Sequence, residues 1–243
     1  MKKAAESPAT GRPYGGVAHE DRAAERRQAL IQAATQVFGT VGFRKATVRS
    51  ICQQAKLNDR YFYAAFDSTD HLLRATYEHH ARRLHAALHQ AIESQDDRLE
   101  DRVDAGLRAF FAFLRDTCAA RVLMLEVMGI NAETDATYQR NLSEFAKQII
   151  ASADPTTQNA LGDHADQRIV GIALVGAMTN AGTAWLLSGY RDSEEKMVRN
   201  CSQVLLGTYA YAINQARARV RDSRSNRAAA NHAAVKNTSR VRR

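Results

Sequence analysis

A chain of 243 residues and 26.9 kDa has room for one large domain or two small ones, which excludes both a disulfide-stapled peptide and a multidomain machine. Three prolines and thirteen glycines in a sequence that is 45% apolar and 25% charged interrupt helices rarely, so the composition predicts an all-α protein with a sizeable core. The net charge of +8 is uneven: residues 1–74 carry +5, residues 75–216 carry −5 and residues 217–243 carry +8. A basic N-terminal third, an acidic middle and a basic tail point to a polyanion held at one end of the molecule, nucleic acid being the obvious one.

Cys52, Cys118 and Cys201 are odd in number and lack CxxC spacing, which argues against a disulfide framework or zinc knuckle and for a reducing, cytoplasmic setting. No apolar run follows Met1-Lys2-Lys3, so a secretory leader is not expected. Ile169 to Tyr190 is uncharged over 22 residues, long enough for a membrane span. Its glycines, Thr179, Asn180 and Thr183 favour instead a helix packed on all sides inside a protein, and no membrane partner is expected.

In chain order, residues 1–20, with Pro8, Pro13 and three glycines, read as a disordered arm. From about Arg22 to Thr40, Leu30, Ala34, Val37, Phe38 and Val41 form one helical stripe. Thr47 stands at an N-cap position before a short helix with Val48, Ile51, Cys52 and Ala55 on its apolar face. Leu57-Asn58-Asp59 breaks that pattern, and the i, i+4 pair Phe62 and Phe66 marks a third helix. Two short helices about a tight turn make a helix-turn-helix over about 46–65. Asp67-Ser68 opens a long helix to about Glu93, and further helices are predicted over about 99–118, 120–129, 136–152, 165–189 and 193–216. The arginine-rich end, 217–243, is expected to be a disordered tail.

A helix-turn-helix lays its second helix in the major groove while the first crosses the backbone. The candidate contacts to double-stranded DNA are therefore Thr47 and Arg49 on the first helix and Asn58, Asp59, Arg60, Tyr61 and Tyr63 on the turn and second helix. An arginine can pair with both acceptors of a guanine, whereas a tyrosine hydroxyl typically donates to phosphate.

The series Ala33-Ala34, Phe38, Gly42-Phe43, Thr47-Val48, Ile51-Cys52, Ala55, Leu57-Asn58, Phe62-Tyr63, Phe66, Ser68 and Leu72-Leu73 resembles the tetracycline-repressor (TetR) family of bacterial transcriptional regulators over about residues 22–78. The resemblance implies a phosphate-contacting hydroxyl on Thr47, a base-reading Arg49, a phosphate-bound Tyr63, and Asp59, Arg60 and Tyr61 against the bases. The sequence departs from the family pattern at Lys56 in place of a turn glycine, at Arg60-Tyr61, at Ala65 and at Thr69 in place of a phosphate-binding lysine. The resemblance also implies a DNA-binding domain at 21–80 and a helical domain at 81–216 that binds a small effector and forms a homodimer, with the helices of about 165–216 at the interface. The implied role is that of a repressor released from a palindromic operator by its ligand.

Phe110, Phe113, Met124, Met128, Asn180 and Trp185 are the candidate pocket residues, suited to an apolar or aromatic effector. His85 and His89 share one helix face ahead of Glu93, a spacing that can hold zinc or nickel, but no HExxH or nearby cysteine accompanies them. A metal-responsive regulator stays an alternative, as does a non-specific architectural DNA-binding protein using the arginine tail. No metal site, cofactor or catalytic constellation is expected, and the acidic run Asp96-Asp97-Glu100-Asp101-Asp104 with Arg98 and Arg102 reads as a salt-bridged surface.

Overall fold

The computed structural model describes residues 14–95 and 98–240, with side chains over 20–95 and 98–223. The described residues are all-α, as the composition predicts: α1 (Tyr14–Val41), a 3₁₀ turn (Phe43–Lys45), α2 (Val48–Ala55), α3 (Asp59–Ala65), α4 (Thr69–Glu93), α5 (Leu99–Leu114), α6 (Thr117–Arg121) continued by a π-helical turn (Val122–Glu126), α7 (Ala132–Ala151), α8 (Pro155–Ala160), α9 (His164–Leu187) and α10 (Glu194–Arg240).

Local capping chemistry sets most of these starts. Thr47 and Ser50 form a reciprocal capping box on α2, Asn58 caps α3 by accepting from the Arg60 N–H, and Ser68 caps α4 by accepting from the His71 N–H. Asn131 starts α7 four residues earlier than the apolar periodicity suggests, and Asp163 with Asp166 boxes the start of α9. The short helix α8, with Pro155 in its first turn below the Asp154 cap, was too brief to leave a periodic signal.

Two expectations of disorder differ from the structure. α1 begins at Tyr14, inside the segment read as an arm, so only residues 1–13 of that arm lie outside the described residues. α10 runs through Arg240 across most of the expected tail, and residues 241–243 are outside the described set. Neither glycine nor proline follows Gly207, and the alanines and arginines there are strong helix formers, so nothing local stops the helix once it has started.

α1 to α3 make a three-helix unit whose core holds Leu30, Phe38, Ile51, Phe62, Phe66 and Leu72. α4 leaves that unit and crosses into the C-terminal half, where Phe111, Leu114, Val122, Trp185 and Tyr209 are buried. α5 runs antiparallel to α4, with Phe113 beside His80 and Gly106 beside Ile92; α7 runs parallel to it, with Tyr138 beside Tyr77 and Phe145 beside His85. The two halves also meet where α1 passes α6 at Gly39, and any side chain there would collide with the Cys118 backbone.

His80 sits at the junction of α1, α4 and α5. Thr35 gives its hydroxyl proton to the Ile31 carbonyl at 2.9 Å, so the His80 ring N–H at Nε2 donates to Thr35 Oγ1 at 2.8 Å and Nδ1 carries the lone pair, facing Arg83. Burial, with His79 and Arg83 adding to it and Asp116 opposing, pushes the imidazole down to about 4. The unfolded chain therefore binds a proton near pH 6.5 that the folded chain refuses, so this contribution to stability is complete above pH 6.5 and is lost as pH falls from 6.5 to 4. At pH 5 the parent is expected to take up about one more proton on unfolding than His80→Gln, read from the slope of unfolding free energy against pH.

Candidate nucleic-acid interface and ligand cavity

The two short helices hold their apolar faces against α1 and leave a polar surface outward. Phe62 and Phe66 are fully buried, and Arg27 lies 4.9 Å from the centroid of the Phe66 ring. Tyr63 points away, with 63% of its surface exposed and its ring edge packed at 5.3 Å on Phe62. Arg49, Asn58, Asp59 and Arg60 are exposed. Thr47 is exposed too, but its hydroxyl is already engaged in the capping box with Ser50.

Tyr61 is clamped between two arginines. The Arg60 guanidinium stands 4.7 Å from its ring centroid and donates to its hydroxyl at 2.9 Å, and Arg26 of α1 lies 4.8 Å from the same ring. The hydrogen bond and charge of Arg60 hold the phenol below its usual pKa. Arg26 is thus a part of this surface that sequence periodicity missed; it lies one turn before the apolar stripe of α1 begins. Asp59 turns toward Cys52, whose thiol is pushed up by burial and by that carboxylate. Among the predicted contacts, Thr47, Asn58 and Asp59 thus have structural uses as well.

The turn between the helices is built on Lys56 at φ 54° and ψ 39°, the left-handed conformation where the family pattern has glycine. Its N–H bonds back to Cys52 and Gln53 and closes α2. A side chain in this conformation costs about 1 kcal/mol, and here it leaves an additional exposed ammonium beside the recognition helix.

A cavity of about 340 Å³ lies inside the C-terminal half, between α4, α5, α7, α9 and α10. Tyr77, Leu84, Leu88 and Ile92 line it along one face of α4, a span of about 22 Å at the helical rise, so the space is long and narrow. Phe110, Met124, Met128 and Asn180 of the predicted pocket residues line it. Phe113 and Trp185 do not. Phe113 packs on His80 and Arg83, and Trp185 is buried between Phe111 and Tyr190 with its indole N–H donating to the Asp192 carbonyl at 2.8 Å. Residue type alone does not distinguish a wall from filled core.

The expected salt-bridged start of α5 forms only in part. Arg98 pairs with Asp101 and Arg108 with Asp104, while Arg102 lines the cavity instead; Asp96 and Asp97 lie outside the described residues. His89 pairs with Glu93 and His85 packs on Phe145. Among the described residues no three histidine, cysteine or carboxylate side chains gather as a metal site.

Residues 30–76 match the family of bacterial regulatory proteins described as the tetR family. These residues carry the DNA-binding domain of that family. The chain is similar to the HTH-type transcriptional activator FasR of Mycolicibacterium smegmatis, 24% identical over 209 residues that cover 85% of this chain and 94% of that protein. Its fold is similar to the fatty acid degradation regulator FadR of Bacillus halodurans (TM-score 0.66, 20% identity, 75% of this chain and 95% of the other). It is also similar to FadR of Bacillus subtilis solved with stearoyl-CoA (TM-score 0.64, 16% identity, 73% and 96%).

One carboxylate joins the unit that carries this domain to the cavity wall. Glu126 closes the π-helical turn, whose Leu123 and Met124 line the cavity. Its Oε2 accepts from the Phe43 N–H at 2.8 Å, and its Oε1 accepts from Arg121 at 3.2 Å. Phe43 opens the 3₁₀ turn that leads into α2, and Gly42 before it takes φ 84°, a backbone conformation that favours glycine. The Glu126 side chain is only 13% exposed, so this link is little screened by solvent.

Proposed function

We propose that the protein is a homodimeric, cytoplasmic transcriptional repressor whose hold on a palindromic operator weakens when a single-chain apolar ligand fills the cavity. The observation that carries this reading is the shared π-helical turn: the same five residues supply cavity wall at one end and the Glu126 link to the DNA-binding unit at the other. A ligand that displaces Leu123 or Met124 must also shift Glu126 or break its bond to Phe43. The long, narrow cavity suits an acyl chain, in keeping with the fatty acid degradation regulator FadR of Bacillus halodurans and the stearoyl-CoA bound to FadR of Bacillus subtilis.

Dimerisation is supported by the apolar surface that α9 and α10 leave outward, with Ile169, Leu187, Val204 and Tyr211 exposed. α9 is long and apolar enough to cross a membrane by length and composition; a partner helix covering its outer face satisfies the same hydrophobicity. A two-fold dimer brings two recognition helices to successive grooves of one duplex.

The test is retention of the DNA upstream of the protein's own gene by purified protein, at two salt concentrations and with excess random duplex. The parent is expected to keep the specific fragment against competitor. Tyr63→Phe should weaken binding to every sequence alike, and Arg49→Ala should relax preference at one base position by about 1–3 kcal/mol. Equal retention of random duplex would identify an architectural protein, and parental behaviour in both variants would place the reading surface elsewhere.

A further inference from the structure

The cavity wall is apolar except for a few groups, and nearly all of those with assigned hydrogen bonds are satisfied within the protein. Ser152 and Tyr209 both donate to the Ile149 carbonyl, and Thr179 donates to Val175. Two polar atoms of the wall are both unpaired and shut off from solvent. Arg102 Nε and Gln148 Oε1 are out of contact with solvent and have no hydrogen-bond partner. The Gln148 amide is oriented by its own donation from Nε2 to the His85 carbonyl at 3.3 Å, which leaves Oε1 as the unpaired end. No described carboxylate lies within ion-pair distance of Arg102; Asp101 and Asp104 of its own helix pair with Arg98 and Arg108.

An arginine cannot shed its charge to escape burial; the Arg102 side chain is half-buried, and its Nε is the donor cut off from solvent and left unpaired. Both orphaned atoms face the C-terminal half of α4, Gln148 at the level of His85 and Arg102 beyond Ile92. Arg102 is in the first turn of α5, which runs antiparallel to α4, and Gln148 is in the last turn of α7, which runs parallel to it; both therefore stand beside the C-terminal half of α4. Leu123, Met124 and Tyr77 lie at the other end, against the DNA-binding unit.

Resting on the reading of this cavity as the effector site, we infer that its ligand is a single-chain amphiphile with an anionic head. The head, a carboxylate, is received by Arg102, and the hydrocarbon tail runs past Gln148 toward the π-helical turn. A free acid carries its charge at the carbon that ends the chain, whereas an acyl-CoA carries it on phosphates many bonds beyond an uncharged thioester.

The experiment compares dodecanoate, its methyl ester and dodecanoyl-CoA on the full chain, by calorimetry and by release of the upstream DNA. Dodecanoate is expected to bind at least tenfold more tightly than the ester and to release DNA. In Arg102→Met the acid should lose that advantage while the ester binds as it does to the parent. The ligand-free variant should melt no lower than the parent, whereas an arginine with a merely structural role would lower the melting temperature when removed. Equal binding of acid and ester to the parent, or preference for the thioester, overturns the head assignment and leaves the effector site standing. Failure of all three to bind, or binding that leaves DNA retention unchanged, overturns the effector site itself and the inference with it.

Discussion

Phe62→Ala is expected to abolish operator binding while the C-terminal half stays folded. Phe62 is fully buried, meets Phe66 at 6.1 Å and carries Tyr63 on its ring edge at 5.3 Å. Truncating such a side chain costs about 3–5 kcal/mol, made up of lost transfer free energy and the cavity left behind. A unit of about fifty residues has a stability of the same order, since folded proteins hold roughly 0.05–0.15 kcal/mol per residue. The three-helix unit should then unfold first, separately from the rest. Circular dichroism on heating should show two steps where the parent shows one, with the early step carrying the helicity of α1 to α3, and the variant should retain no DNA. A single transition at the parental temperature with parental DNA retention would mean that α3 is not held by this residue.

The elements that were legible in the sequence are those fixed by neighbours a few positions away. Thr47, Asn58 and Ser68 announce helix starts because a cap needs only its own side chain and a backbone N–H two or three residues on. Phe62 and Phe66 announce α3 because the helical repeat places both on one face. The features that escaped depend on partners far along the chain. Arg102 reads as one more charge in an acidic ladder, and only the packing of α5 between α4 and α10 shows that its side of the helix faces a cavity. Trp185 and Phe113 have the composition of a ligand site and the position of core. Arg26 gains its place through Tyr61, thirty-five residues later. The π-helical turn leaves no periodic trace, because five residues are too few to register a change of pitch.

That turn also sets the second large effect. Glu126→Ala is expected to uncouple ligand from DNA: the variant should bind dodecanoate and operator, yet the presence of one should change the affinity for the other less than about threefold. Coupling between two sites is typically 1–3 kcal/mol, or 5- to 150-fold, and exists only where some contact differs between the two states. Here the contact is a carboxylate that spans Phe43 and Arg121 from the end of the cavity wall. Its removal leaves the Phe43 N–H and a half-buried guanidinium without their acceptor, so a loss of stability of about 1–3 kcal/mol should accompany the uncoupling. Glu126→Gln separates the two consequences. The amide oxygen can still accept from Phe43 while the charge that holds Arg121 is gone, so this variant should keep a measurable ligand response at reduced stability. The decisive readout is the ratio of operator dissociation constants with and without dodecanoate, measured for parent, Glu126→Gln and Glu126→Ala. A parental ratio in Glu126→Ala would route the signal through α4 alone, because that helix is the other continuous element running from the cavity wall to the reading head.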